Sequence, residues 1–332
     1  EIHFRRTTQQ ELDYLAAGGF KWVRMDFFWH LVETEAGRYD FADYDFLVKS
    51  MRDRDINIIF ILDYGNSLYD QGYPPKSPGA RAAFARFAAT AATRYRDEPI
   101  TIIWDLWNEP NLDHFWTPEA NAVDYGRLAI QTASAIRRAD PEAVIAAPAL
   151  AGFEWDYWRT LGEMGLFQRL DAITLHSYGV TSPEKLTQPF LILRALIDSY
   201  SPHWRIPILS GEWGFPSTAN GYSEGQQAQF LVRQWLVNLY HDINVNIWYD
   251  WHDDGPDPHN PEHNFGTVRH DFTAKPAYQA AQTLTSALHG YRFMRRIPLS
   301  RPDDYLMLFQ KGQDVALVAW TTGYAHTVVL PI

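Results

Sequence analysis

Cysteine is absent from all 332 residues of this chain. Disulfides, thiolate nucleophiles, iron–sulfur clusters and cysteine-based zinc sites are thereby excluded. Long apolar runs are missing too. The most hydrophobic stretch, Ile56 to Leu62, contains Asn57 and falls far short of the ~18 residues that a membrane-crossing helix needs. Positive charge is in short supply: 29 Lys+Arg stand against 40 Asp+Glu, a formal net charge of −11. Such a balance opposes binding to nucleic acid or to anionic lipid, so neither is expected as a partner, and a neutral or weakly acidic substrate fits better. The glycine fingerprint of a dinucleotide fold, a phosphate-binding loop and a Ser-His-Asp signature are all lacking, and no cofactor is expected. Nor does the chain open with a charged segment followed by an apolar one, the mark of a signal peptide.

Aromatic residues are what the chain has in excess. Its 13 Trp, 18 Tyr and 19 Phe make up 15% of the residues. Such rings fill cores, and their flat apolar faces also suit the C–H faces of sugars. With 46% hydrophobic and 21% charged residues, the composition is that of a globular protein with a sizeable core.

Short β-rich runs alternate with longer helical patterns along the chain. The runs are Ile2–Phe4, Trp22–Phe27, Ile56–Leu62, Ile102–Trp107, Val144–Ala147, Ala172–His176, Ile206–Ser210 and Val245–Asp250. Helical periodicity lies between them, as in Ala80–Tyr95, Ala122–Arg138 and Gln226–Tyr240, with a last helix at Pro276–Leu288. A first helix follows Thr7 or Thr8, where Glu11 stands at capping-box distance from Thr8. Eight strands alternating with helices predict an α/β fold, a (β/α)8 TIM barrel spanning residues 1–290. The first run is a stub, so the chain is expected to open just inside the barrel. Residues 291–332 are expected to form a small C-terminal antiparallel β appendage packed on the barrel, with strands at Tyr305–Gln310, Val315–Trp320 and Thr327–Leu330.

Active sites of such barrels lie at the C-terminal ends of the strands. Two carboxylates qualify there: Glu109 after the fourth run, in Trp107-Asn108-Glu109-Pro110, and Glu212 after the seventh, in Ser210-Gly211-Glu212-Trp213. Runs four and seven face one another across an eight-stranded barrel, so both carboxyls can enter one cleft, as glycoside hydrolysis requires. Alternation along a strand would put Asn108 and Glu109 on opposite faces, so the strand must end or bulge there if both act. Parity also turns Arg24 inward with Asp26, away from Val23, Met25 and Phe27, and a buried Arg needs a carboxylate partner: Glu212, or else Asp26 or Asp63. His176 and Tyr178 share a face of the sixth run. In the eighth, Trp248 alternates inward and becomes the expected ring beneath a sugar, with Trp251 in reserve. Trp29, Trp116, Tyr64, Phe115, Trp155 and Trp213 are further candidate aromatic platforms. The acidic stretch His252–His259 lacks the EF-hand spacing and reads as a turn-rich loop, so no metal is expected.

The Trp-Asn-Glu-Pro of run four with a Glu ending run seven resembles the clan A glycoside hydrolases. The continuation Asn111-Leu112-Asp113-His114-Phe115-Trp116 is most similar to family 39, and Gly211-Glu212-Trp213-Gly214 is similar to family 5. The resemblance implies a retaining glycosidase acting through a covalent glycosyl-enzyme, with Glu109 as acid/base, Glu212 as nucleophile, Asn108 on the sugar 2-hydroxyl, Tyr178 on the nucleophile and His176 lining the site toward the substrate. It implies a carbohydrate substrate, including an exopolysaccharide cleaved internally, and hence a secreted or periplasmic protein. A catalytically silent carbohydrate-binding barrel and a transglycosylase using the same residues are the alternatives. Two adjacent acids, costly through their repulsion, disfavour the first. Oligomeric state is not legible.

Overall fold

The computed structural model describes residues 1–329. Six parallel strands, β1 (Trp22–Phe28), β2 (Asn57–Asp63), β3 (Ile102–Leu106), β4 (Val144–Ala151), β5 (Ala172–His176) and β6 (Ile208–Glu212), pair in chain order. The first and eighth expected strands occupy their barrel positions without forming ladders. Ile2 N donates to Arg24 O (3.1 Å), Ser210 N to Val245 O (3.0 Å), Ile247 N to Ser210 O (2.9 Å) and Trp251 N to Glu1 O (3.0 Å), so isolated bonds close the ring. The eighth segment stays irregular because loops take its other backbone groups: Tyr249 N donates to Trp213 O and Asp250 N to Phe265 O. Gly214 permits this. A Cβ there would stand 1.9 Å from Tyr249 O.

Alternation sorts the strand residues into two sets. Val23, Met25, Phe27, Ile58, Phe60 and Leu62 join the core between sheet and helices, whereas Ile59, Ile103, Ala146, Ala172, Leu209 and Ile247 meet inside the barrel. The interior cluster plugs the bottom of the barrel. Two residues further along the strands the inward positions become polar, with Arg24, Asp105 and Thr174, and this layer supports the mouth. Helices Gln9–Ala17, Pro78–Tyr95, Ala122–Ala139, Glu224–Tyr240 and Pro276–Ala287 cover the sheet where periodicity predicted helix. Ala42–Arg52, Trp155–Glu163 and Thr187–Tyr200 complete the cover. Capping follows the sequence: the Thr8 side chain accepts from Glu11 N, and Ser223 with Gln226 forms a full capping box. No helix among the described residues is long and apolar enough to cross a membrane.

The appendage is a three-stranded antiparallel sheet, β7 (Arg292–Arg296), β8 (Asp304–Lys311) and β9 (Asp314–Thr321). Its third strand precedes the hairpin, which corrects the expected strand at 327–330: Thr327–Val329 are not in a strand, and Leu330 lies outside the described residues. The charged run Arg292–Arg296 hid the true strand, which contributes Phe293 against Phe309 (5.6 Å). Met307 and Phe309 pack on Leu236 of the Glu224–Tyr240 helix, seating the sheet on the barrel.

Phe27 sits within an aromatic cluster of the core, stacked on Tyr44 (3.9 Å) and edge-on to Phe60 (4.8 Å) and Trp104 (5.8 Å). Phe27→Ala should cost about 3–5 kcal/mol through lost burial and an unfilled cavity, whereas Ser223→Ala, which removes one cap, should cost about 1 kcal/mol. Urea midpoints of the two variants should differ in that order.

Candidate active site

At the mouth, local backbone geometry aims the side chains. β3 ends at Leu106, and Trp107 (φ 80°) and Glu109 (φ 42°) take left-handed conformations that non-glycine residues seldom adopt. Trp107 turns into the core against Trp116, while Asn108 and Glu109 both face the cleft, the break in alternation that their joint presence required. Asn111 fastens the loop: its Nδ2 donates to Ala151 O (2.9 Å) and its Oδ1 accepts from Ala151 N (3.0 Å). On β6 an irregularity places Glu212, not Gly211, opposite His176.

Arg24 lies fully buried beneath these groups. Its Nη1 donates to Glu212 Oε2 (3.0 Å) and Glu1 Oε2 (2.9 Å), its Nη2 to Asn108 Oδ1 (2.7 Å), and its Nε stands 3.8 Å from Asp105 Oδ2. Asp26 and Asp63 are therefore not its partners. Tyr178 OH donates to Glu212 Oε1 (2.8 Å). His176 Nδ1 lies 2.7 Å from Glu109 Oε1 and 3.8 Å from Glu212 Oε2. Carboxyl oxygens of Glu109 and Glu212 come within 4.8 Å of each other.

Ionisation follows burial. It lowers His176 to about 4, leaving the ring neutral at physiological pH. Burial likewise pushes both Glu109 and Glu212 up to about 7. Arg24 does not bring Glu212 below the ordinary carboxylate range, because burial outweighs it, Glu1 adds repulsion and its one charge is divided among several acids. Hydrogen bonding distinguishes the two acids instead. Glu212 receives Tyr178 and Arg24, donors that favour its ionised form, whereas Glu109 faces a neutral imidazole nitrogen able to accept a proton.

A cleft of about 710 Å³ opens above the pair. Arg24 underlies it, and Asn108, Glu109, Tyr178 and Glu212 line it. Of the aromatic candidates, Tyr64 and Phe115 line it too, their rings stacked at 5.8 Å. The expected tryptophans do not. Trp29 and Trp116 are fully buried, the first against Tyr69 and Phe84, the second against Trp107 and Tyr125. Trp248 is buried with its Nε1 on Phe265 O, and Trp251 packs on Tyr14 with its Nε1 on Glu11. Trp155 and Trp213 also lie away from the cleft lining. Parity failed at Trp248 because its segment is not a regular strand; its neighbour Tyr249 reaches the cleft, as do His3, Asp26, His114, Glu262 and Phe265. Of these only Asp26 was legible, from its shared face with Arg24.

Two trios offer clustered metal-type ligand atoms, Glu109/His176/Glu212 and His3/Asp250/Asp254. A cation in the first would compete for the lone pairs that carry the pair's proton. In the second, His3 Nε2 stands 3.3 Å from Asp250; burial opposes the charged ring, but the Asp250 hydrogen bond together with the charges of Glu1 and Asp250 raises His3 to about 9, so a proton already serves that acid. The acidic loop is held from within: Asp253 accepts from buried Lys275 Nζ (2.6 Å) and from Gly266 N (2.9 Å).

Comparison with known proteins places this site in context. A family 39 glycoside hydrolase from Bacteroides cellulosilyticus WH2 superposes with a TM-score of 0.85 at 25% identity, over 98% of this chain and 70% of its own. A family 39 β-xylosidase from Caulobacter crescentus shares the fold at a TM-score of 0.73 and 21% identity, over 95% of this chain and 75% of its own. A β-xylosidase of Geobacillus stearothermophilus is 34% identical over 99 residues, which span 28% of this chain and only 19% of the xylosidase. The cellulase family model, glycosyl hydrolase family 5, matches residues 2–255. The chain belongs to that family, a clan A glycoside hydrolase family built on the TIM barrel.

Proposed function

We propose that the chain is a retaining β-glycosidase in which Glu212 attacks the anomeric carbon and Glu109 serves as acid/base. One observation carries the reading: two carboxyls across one cleft, with oxygens within 4.8 Å, in unlike hydrogen-bond surroundings. Retaining enzymes keep their carboxyl groups ~5–5.5 Å apart, whereas inverting ones separate them to ~6.5–9.5 Å to admit a water. In the first step Glu109 protonates the leaving oxygen as Glu212 forms the glycosyl ester. In the second, Glu109 takes a proton from the water that hydrolyses that ester. Asn108, oriented by Arg24, supplies its amide to the sugar 2-hydroxyl. The substrate class we infer is a β-linked oligo- or polysaccharide, supported by the β-xylosidase names of the similar proteins, and extends to internal bonds of an exopolysaccharide. Such polymers are met outside the cytoplasm, so the proposal includes a secreted or periplasmic location. Assay on aryl β-glycosides and polysaccharides tests it, release of new reducing ends from a polymer marking internal cleavage; no turnover on any of them would sink it.

The two roles are separable by chemistry. Glu109→Ala should retain the first step on dinitrophenyl glycosides, fall about 10²–10⁴-fold on poor leaving groups, and give a retained glycosyl azide with added azide. Glu212→Gly should be inactive on all leaving groups and give an inverted glycosyl azide on rescue. Equal losses on every leaving group, without rescue, would refute the assignment.

The active form carries one proton on the pair, so kcat/KM should be bell-shaped with limbs on either side of about 7, and these limbs belong to the coupled pair. Tyr178→Phe removes a donor to ionised Glu212, raises its pKa and should move the acid limb to higher pH. An unmoved limb would show that Tyr178 does not stabilise the nucleophile.

A further inference from the structure

Charge lining the cleft is mostly negative, and the protonated ring of His3 is already matched to Asp250. Among the described residues, five carboxyls line it, Glu1, Asp26, Glu109, Glu212 and Glu262, and no lysine or arginine does. The cation beneath is spent: Arg24 gives both Nη groups to Glu1, Glu212 and Asn108 and turns its Nε toward Asp105. A sugar carboxylate would find no guanidinium or ammonium to pair with, although such groups are the usual means of binding one.

Of the three carboxyls in this set that the proposed chemistry leaves unused, Glu1 is engaged by Arg24 and Glu262 comes from a loop, which leaves Asp26 on the barrel itself. It sits on β1 two residues beyond Arg24, on the same inward face. Behind it stands Asp63 of β2, its diagonal neighbour in the parallel register, since Asp26 pairs with Ile61. Asp63 is wholly buried, and neither of its oxygens meets a protein donor. Two adjoining acids with no cation between them hold a proton in common. Burial, then the charge of Asp26, push Asp63 well above the ordinary range; burial, then the charge of Glu1, raise Asp26 as well, against a hydrogen bond from Asp63 that favours its ionised form. The other groups facing Asp26 are Glu1 and His3 from the N-terminal segment and Arg24 on its own strand. Tyr64, next to Asp63, also lines the cleft.

We propose that Asp26 is a specificity-determining residue, a carboxylate backed by buried Asp63 that accepts hydrogen bonds from sugar hydroxyls and excludes uronic acids, so that the cleft takes uncharged sugars. The inference rests on the carbohydrate reading above but not on turnover. Its test therefore uses phenyl 1-thio-β-glycosides, which bind without being cleaved, in matched pairs: glucoside and glucuronide, galactoside and galacturonide, mannoside and mannuronide. Calorimetry on the full chain should show at least one neutral member binding and its uronate partner about a hundredfold weaker, a gap that falls as salt is raised. Asp26→Asn should narrow the gap about tenfold, while Asp97→Asn, which removes an exposed charge in the loop before β3, at the end of the barrel opposite the cleft, should leave it unchanged. A uronate that binds as tightly as its neutral partner, a gap indifferent to Asp26→Asn, or no binding by any member would overturn the proposal. Should Asp26→Asn fail to fold, the salt dependence of the gap in the unaltered chain decides instead, a constant gap counting against it. Selective thioglycoside binding without hydrolysis of any oxygen glycoside would refute the hydrolase reading and leave this one standing.

Discussion

The mouth of this barrel depends on a single buried cation. Arg24 has no solvent exposure and serves Glu1, Glu212, Asp105 and Asn108 at once. Acids packed this closely would otherwise protonate to escape desolvation and mutual repulsion. One guanidinium can hold them because its planar fork offers separate donors along separate directions. The same geometry orders the site, since the Nη2 that holds Asn108 Oδ1 leaves the amide's NH2 to point elsewhere. The arrangement also divides the cation's effect: Glu1 is lowered despite its burial, whereas burial still raises Glu212.

Backbone irregularity is the second constraint. In a regular strand Asn108 and Glu109 would face opposite ways, and Gly211 rather than Glu212 would be the inward residue. The left-handed residues after β3 and the irregular pairing of β6 correct both. Conformations of this kind cost roughly 1–3 kcal/mol each and persist only when their surroundings over-determine them. Here the ties are visible: Trp107 is locked among Trp116, Tyr64 and Phe84, its Nε1 on Phe115 O, and Asn111 clamps the loop to Ala151.

What could be read from the sequence followed from regular periodicity. The barrel came from strand runs alternating with helical periodicity, the position of both glutamates from the ends of those runs, and the inward turn of Arg24 from two-residue alternation along β1. Where regularity stops, inference stopped with it. Trp248 was assigned to the cleft by an alternation that its segment does not follow, and Tyr249 occupies the place instead. Trp29 and Trp116 failed for another reason: a ring at a strand end packs beneath a loop as readily as it faces solvent, and only the loop's path decides. Glu262 and Phe265 come from a loop whose course is set by the buried Lys275–Asp253 pair, and no local pattern announces it.

The asymmetry of the two glutamates comes from hydrogen-bond donors, not from charge. Burial raises both to about the same value, so electrostatics alone would leave the proton indifferent between them. Glu212 accepts from a phenol and a guanidinium, neither of which can take a proton from it at neutral pH; protonation there would waste both donors. Glu109 meets His176, and because burial keeps that ring neutral, Nδ1 can accept from a protonated acid or, as the other tautomer, donate to an ionised one. An imidazolium at that point would favour ionised Glu109 and strip the site of its acid. A neutral histidine tolerates both states of Glu109, and a residue that must act first as acid and then as base requires that tolerance.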